Sequence, residues 1–324
     1  MSLAICTLTS DGIVMTADSR QTYTNVAGAI RIGSDNGNKL FQLNERVGVA
    51  VAGLAFLLED ENTIKSIGWF IEQFKKSTLK DEKDLKKIAE SLNSYVADKQ
   101  IESLKIQIKG EVRVKGGSGL SFQSNRDKLP VKYSYRDSAG NSISEEKTID
   151  LIQLIIAGID KDGIGKAIST STPNGIVAES NTIQCGALWI GQIDVLIRII
   201  NGYTPEIGAL DFFSKADTTA QKAISKDLEK LAYNISWNTM TLQDAVDLCV
   251  LITKTTENVQ RFSDGTALMP GGIPGVGGSI DIALITSEKG YLWLKQKEIK
   301  SEDASININD FKDLKVVEVV KPKS

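Results

Sequence analysis

The run Leu151-Ile152-Gln153-Leu154-Ile155-Ile156-Ala157 is apolar at all but one position, and a strand of that composition has no face to offer to water. It has to lie between two layers, and the outer side of each layer must be covered in turn. The rest of the chain supplies the cover in a definite order: strands, two stretches with helical spacing, strands again, helices, and a last pair of strands. An α+β fold of two stacked sheets with helices outside, a four-layer αββα sandwich, is the economical reading of that order.

The first strands fall at 3–8 and 12–17 around Ser10-Asp11-Gly12, because Asp-Gly between apolar runs is a strong hairpin signal. Strands at 39–43 and 47–52 follow, and the four read as one antiparallel meander. Leu54, Leu57, Leu58, Ile64, Ile67, Phe70, Ile71 and Phe74 recur every three or four residues, which predicts a helix over 54–74. A second helix is expected over 82–97, with Leu85, Ile88, Leu92 and Val96 on one face.

Residues 103–148 are rich in Gly, Ser and Lys, with weak alternation at 105–109 and 131–135. They read as a β-rich insertion, at about 103–148, in a single domain spanning 1–324. Strands resume at 150–159, 164–170 and 175–183. Helices are expected at 188–201, 217–235 and 242–259, and final strands at 280–285 and 291–294. A polar C-terminal extension runs from about 296 to 324, where Val316–Val320 reads as an added edge strand.

A net charge of -3 supplies no basic field for nucleic acid or an anionic membrane. No apolar stretch approaches the roughly 20 residues of a membrane span, and the first residues lack a signal-peptide pattern. A cytoplasmic protein is expected. Cys6, Cys185 and Cys249 are odd in number and widely spaced, so neither a disulfide framework nor a zinc site is suggested. Cys6 and Cys249 lie in apolar periodic stretches and are expected to be buried.

The chain contains no histidine. That removes Ser-His-Asp and Cys-His catalysis and His-ligated metals together. No cofactor is called for, since the Gly271–Gly278 loop has no Lys-Ser/Thr after it and leads into a strand, unlike a phosphate-binding loop. A hydrolase built on this sequence needs a different base.

Ser2 offers one. With Met1 removed it carries a hydroxyl and a free α-amine, whose reference pKa of about 7.7–8.0 leaves it partly neutral at physiological pH and able to accept the hydroxyl proton. Asp11-Gly12-Ile13-Val14-Met15-Thr16-Ala17-Asp18-Ser19-Arg20 resembles a signature of proteasome β-subunits and their bacterial relatives, HslV and Anbu. Lys39-Leu40-Phe41-Gln42-Leu43 is similar to their third strand, and Val51-Ala52-Gly53 to the glycine that opens their first long helix. The intervals from Ser2 to Asp18 and from Lys39 to Gly53 match without a gap.

The resemblance to this N-terminal nucleophile hydrolase family implies the αββα fold and places Ser2 on the nucleophile position. It places Asp18 and Lys39 on the family's aspartate and lysine, and Gly53 on its oxyanion-hole glycine. Thr22 falls on a position that pairs with substrate backbone, and Val51 on one that lines the side-chain pocket, implying a preference for apolar side chains. The lysine ammonium would lower the pKa of the amine, and the aspartate would hold the lysine. A Gly N–H at a helix start would stabilise the oxyanion.

Taken singly these residues have ordinary readings: a small residue after Met, a turn carboxylate, a solvated lysine guarding a strand edge, a helix cap. Their joint spacing carries the catalytic one. The resemblance further implies a peptide or unfolded-protein substrate, and homo-oligomeric rings or spirals held by exposed apolar helices such as 188–200. An ATP-dependent unfoldase is the partner such an assembly would work with. Two other readings share the fold. One is an inactive scaffold subunit, suggested by Gly186-Ala187 where the family has Gly-Ser and by Ser263 and Asp264 falling in a longer loop than the family's second aspartate and serine. The other is a small-molecule amidase.

Overall fold

The computed structural model describes residues 2–25, 27–79, 81–123, 130–268, 270–300 and 305–307. The chain opens with the expected hairpin, β1 (Leu3–Thr9) and β2 (Gly12–Ala17), followed by a short ladder of β3 (Gln21–Thr24) and β4 (Ile30–Ser34). β5 (Leu40–Asn44) and β6 (Val47–Ala52) pair next, but in a different sheet from β1 and β2. The meander expected of these four strands is therefore two hairpins in two layers. The intervening β3–β4 excursion lets the chain cross from one layer to the other.

The helix expected over 54–74 begins only at Ile67. Residues before it form a small hairpin of β7 (Phe56–Leu58) and β8 (Ile64–Ser66) around an acidic turn at 59–62, and α1 (Ile67–Ser77) starts where Ser66 caps it by accepting from Trp69 N. α2 (Leu85–Val114), capped by Asp84, runs far past 97. It absorbs the run at 105–109 that reads as alternation, because Ile101, Leu104, Ile108 and Val112 recur at helical spacing as well. β9 (Ser118–Phe122), β10 (Val131–Arg136) and β11 (Ser142–Lys147) then form a three-stranded sheet. Its Val131, Tyr133 and Tyr135 pack on those four α2 residues.

β12 (Gln153–Ile159), β13 (Gly165–Ser171) and β14 (Gly175–Asn181) complete one sheet, in the order β14-β13-β12-β6-β5. β15 (Gly186–Gly191), β16 (Asp281–Thr286) and β17 (Gly290–Lys295) complete the other, in the order β15-β1-β2-β16-β17, and all pairings are antiparallel. The helix expected over 188–201 is thus a strand to Gly191 and a helix, α3 (Asp194–Asn201), beyond it. α4 (Asp211–Ser214) and α5 (Thr218–Leu228) lie on an excursion before α6 (Leu242–Phe262), which opens with a Thr241–Asp244 capping box. β18 (Glu298–Lys300) pairs with β19 (Ser305–Asn307). Val316–Val320 lies outside the described residues.

Alternation along the strands sorts residues into layers. Leu3, Ile5 and Val14 face α3 and α6, while Ala4, Cys6, Leu8, Ile13 and Met15 turn inward to Ala50, Ala52, Ile155 and Ala157 of the second sheet. Val49, Val51, Leu154 and Ile156 face Phe70 and Phe74 of α1 and Leu85, Ile88 and Leu92 of α2. The order is helix, sheet, sheet, helix: the αββα sandwich expected from the sequence. Each fully buried side chain of the Phe70 or Leu92 kind contributes about 1.5–3 kcal/mol.

Leu196 is buried in the core under α6, with Ile197, Ile199 and Ile200 half-buried against it, and Val195 is buried as well. The helical part of 188–200 is consequently a packed layer, not the exposed apolar surface expected from the resemblance.

Candidate functional site

The β1–β2 register decides where Asp18 sits. Ala4 opposes Ala17, so the residue after β2 comes level with Leu3, where backbone and side chain both engage it: Asp18 N donates to Leu3 O (3.2 Å), and Leu3 N donates to Asp18 Oδ1 (2.9 Å). The same Oδ1 accepts from Lys39 Nζ at 2.8 Å, and Lys39 Nζ also donates to Arg20 O. Oδ2 accepts from Arg20 N (3.1 Å) and Gly277 N (3.0 Å). Four donors converge on one fully buried carboxylate, which offsets the desolvation that makes most buried ion pairs costly.

Lys39 arrives from the other sheet. It precedes β5, and its carbonyl accepts from Val51 N at 2.8 Å, continuing the β5–β6 ladder. Burial pushes its pKa below the usual lysine value. Asp18 opposes that by charge and hydrogen bond, while Lys297 and Arg20 push it further down. A buried amine with a lowered pKa beside a fixed carboxylate, on the lining of a cavity, makes Lys39 a candidate functional residue.

Ser2 is buried at the edge of a cavity of about 1580 Å³ that it lines together with Lys39, Val51 and Gly53. Its carbonyl accepts from Gln192 N at 2.7 Å. The neighbouring Gly191 has φ +90°, and a Cβ there would lie well inside contact distance of Ser2 O, so only glycine permits this approach. The backbone around Ser2 is thus held on both sides, by Gln192 at its carbonyl and by Asp18 at the next amide.

A belt of contacts braces the floor. Ser19 N donates to Gly277 O (2.9 Å), Ser19 Oγ to Ser279 O (2.6 Å), and Gly37 N to Ser19 O (2.8 Å). Arg20 forms a two-pronged pair with Asp35 (2.6 and 3.1 Å). The 33–37 segment is therefore tied into the site through Asp35 and Gly37.

Some expectations need correction. Gly53 lines the cavity with φ +108°, and a Cβ there would collide with Leu151 O, but it sits in a bend and the β7–β8 hairpin follows it. No helix starts there, so no helix dipole adds to its N–H. Thr22 lies half-buried on β3 opposite Ile32; Gln21, not Thr22, is on the cavity lining. Val51 both lines the cavity and packs in the helix-side core.

Ala187 opposes Thr7, far along β1, whereas Gly191 opposes Leu3 beside Ser2. The Gly186-Ala187 pair is therefore not the one adjoining the candidate nucleophile. Ser263 and Asp264 are off the cavity lining, and an unforeseen aspartate is on it: Asp281, buried, accepts from Lys297 N (3.0 Å) and pairs with Lys297 Nζ. Its sequence signal was a lone carboxylate inside the apolar run Ile280-Asp281-Ile282, where an unpartnered charge would be expensive.

Cys6 and Cys249 are buried as expected, with Cys249 Sγ 3.3 Å from Thr7 Oγ1. Among the described residues no helix is long and apolar enough to cross a membrane.

No family model matches the chain, and no curated protein matches it in sequence. Among solved structures, it is similar to an Anbu Gly-1 mutant from Hyphomicrobium sp. strain MC1, at 13% identity and a TM-score of 0.46 over 94% of this chain and 89% of that one. It is also similar to Anbu, described as an ancestral beta-subunit, from Yersinia bercovieri, at 11% identity and a TM-score of 0.44 over 91% and 88% of the two chains. At those levels of likeness, function rests on the chain's own geometry.

Proposed function

We propose that the chain is a proteasome-like N-terminal nucleophile hydrolase, a serine-type peptidase that cleaves peptide amide bonds through Ser2 once Met1 is removed. Met1 lies outside the described residues. The observation that carries the reading is the sharing of Asp18 Oδ1 between Lys39 Nζ and the amide of Leu3, which ties the residue after Ser2 and the buried lysine to one atom.

In this reading Ser2 Oγ attacks the scissile carbonyl carbon as its proton passes to the Ser2 α-amine, whose pKa the Lys39 ammonium lowers. The carbonyl π electrons move onto oxygen, and the Gly53 N–H is the proposed donor to that oxyanion, a contribution typically worth about 100- to 1000-fold in rate. Collapse expels the amine, which takes the proton back from the α-ammonium. Water then attacks the Ser2 ester with the α-amine as base, releasing the acid and restoring the hydroxyl.

The cavity of about 1580 Å³ exceeds the roughly 300–1000 Å³ of small-molecule pockets, which favours a peptide over a small amide. The scaffold reading loses one of its motives, because Ala187 is not beside Ser2. Assembly into rings or spirals, and work with an unfoldase, remain part of the proposal. Intact-mass measurement should show loss of Met1, and fluorogenic peptide turnover should vanish in Ser2→Ala. Equal rates for wild type and Ser2→Ala would end the claim.

A further inference from the structure

Gln260, in the last turn of α6, belongs to none of the motifs above, yet its side chain joins two otherwise separate parts of the site. Its Nε2 donates to Gln192 Oε1 at 2.7 Å. Its Oε1 accepts from both Gly275 N and Val276 N, each at 3.0 Å. Gln192 is the residue whose backbone N–H holds Ser2 O. Gly277, next after Val276, is the residue whose N–H holds Asp18 Oδ2 and whose carbonyl receives Ser19 N.

The 275–277 loop also lies against Arg20: Arg20 Nη1 donates to Val276 O at 3.4 Å, and a Cβ on Gly277 would come within 2.5 Å of the guanidinium. The loop that clamps the aspartate and the turn that clamps the nucleophile's carbonyl therefore meet at one amide on a third element.

Resting on the hydrolase reading above, we infer that Gln260 is a positioning residue, which fixes the backbone around Ser2 relative to the loop that holds Asp18. It is off the cavity lining and acts through Gln192 and Gly277. A primary amide suits the post because it donates on one side and accepts on the other. Reacting groups held by such outer supports lose about 100-fold in rate for a misplacement near 1 Å.

The test couples hydrogen exchange to turnover in the full chain. Gln260→Met keeps the length and removes both polar functions; the Gln192 and Gly277 amides should exchange at least tenfold faster, with β2 amides unchanged, and kcat should fall roughly ten- to a hundredfold with KM within about twofold. Gln260→Glu should restore both readouts. One carboxylate oxygen can accept from Gly275 and Val276, and the other from a turned-over Gln192 amide.

If Gln260→Met unfolds, Gln192→Met, which cuts the same side-chain link while keeping the backbone N–H on Ser2 O, should show the same pairing of fast exchange and low kcat. Unchanged exchange, or fast exchange with wild-type kcat, would overturn the inference. A wild-type protein inert toward every peptide would overturn the hydrolase reading instead, while the exchange rates still decide whether Gln260 braces the site.

Discussion

Replacing Asp18 by asparagine tests the centre of the site with an exchange of one oxygen for an NH2. The carboxylate accepts two donors on each oxygen, and an amide has only one oxygen. Whichever way the new side chain is turned, its NH2 faces either Leu3 N with Lys39 Nζ, or Arg20 N with Gly277 N. Each buried donor left unsatisfied costs about 1–3 kcal/mol, and removing the counter-charge of a buried lysine about 3–5 kcal/mol. Because these overlap, the net loss should be about 3–6 kcal/mol. With an unfolding entropy near 0.7 kcal/mol/K for a chain of this length, Tm should fall by about 4–9 °C.

The loss should depend on pH in a stated direction. Burial already holds the Lys39 pKa low, with Lys297 and Arg20 acting the same way and Asp18 against them; removing the Asp18 charge lowers it further. Between the folded pKa and the unfolded value near 10.4, the unfolded chain binds more protons, so stability rises with pH by up to about 1.4 kcal/mol per unit. That window reaches to lower pH in the variant, so the gap from wild type should narrow between pH 7 and pH 9.5. Denaturant melts at both values measure it. A further Lys39→Met substitution in the variant should recover part of the loss. A gap that stays constant across that range, with no recovery in the double variant, would refute the account of Lys39 as a buried cation that depends on the Asp18 charge.

Gly191→Ala should lower Tm and abolish turnover together, because the left-handed backbone and the crowding of Ser2 O coincide there; unchanged melting would refute the close approach. In the native protein only Cys185 should react promptly with a thiol reagent at pH 7, and all three cysteines after unfolding, since Cys6 and Cys249 are fully buried and Cys185 only half-buried, with burial raising all three thiols. Cleavage after Leu or Tyr should exceed cleavage after Asp or Arg by about tenfold or more if Val51 shapes the pocket. The reverse, in favour of Asp, would mean that Lys75, Lys76 and Lys295 on the lining dominate.

The local parts of the fold were legible because short-range chemistry fixes them. Asp11-Gly12 sets the first hairpin, and that register brings Asp18 level with Leu3. Leu54, Leu57 and Leu58 misled because three apolar residues at that spacing satisfy a short hairpin as well as a helix turn, and the acidic stretch at 59–62 was the stronger signal. Lys105–Lys109 misled in the opposite sense, alternating on paper while Ile101, Leu104, Ile108 and Val112 kept the helical period. The Asp281–Lys297 pair, the Gly191–Ser2 contact and the Gln260 link join residues from 15 to more than 180 positions apart. The Gly191–Ser2 contact and the Gln260–Gln192 bond lie beyond any local window and depend on tertiary packing, and the Asp281–Lys297 pair depends on the register of the last hairpin.

Between the two sheets seven alanines, Ala4, Ala17, Ala50, Ala52, Ala157, Ala167 and Ala283, pack among larger side chains such as Leu8, Ile13, Met15, Ile155 and Tyr291. Ser2 and Asp18 flank one sheet and Lys39 the other, so this mixed packing acts as a spacer whose thickness sets how far the ammonium must reach. Enlarging the methyl of Ala157 or Ala167 would wedge the layers apart and detune the aspartate–lysine pair from a distance, without altering a residue that lines the cavity.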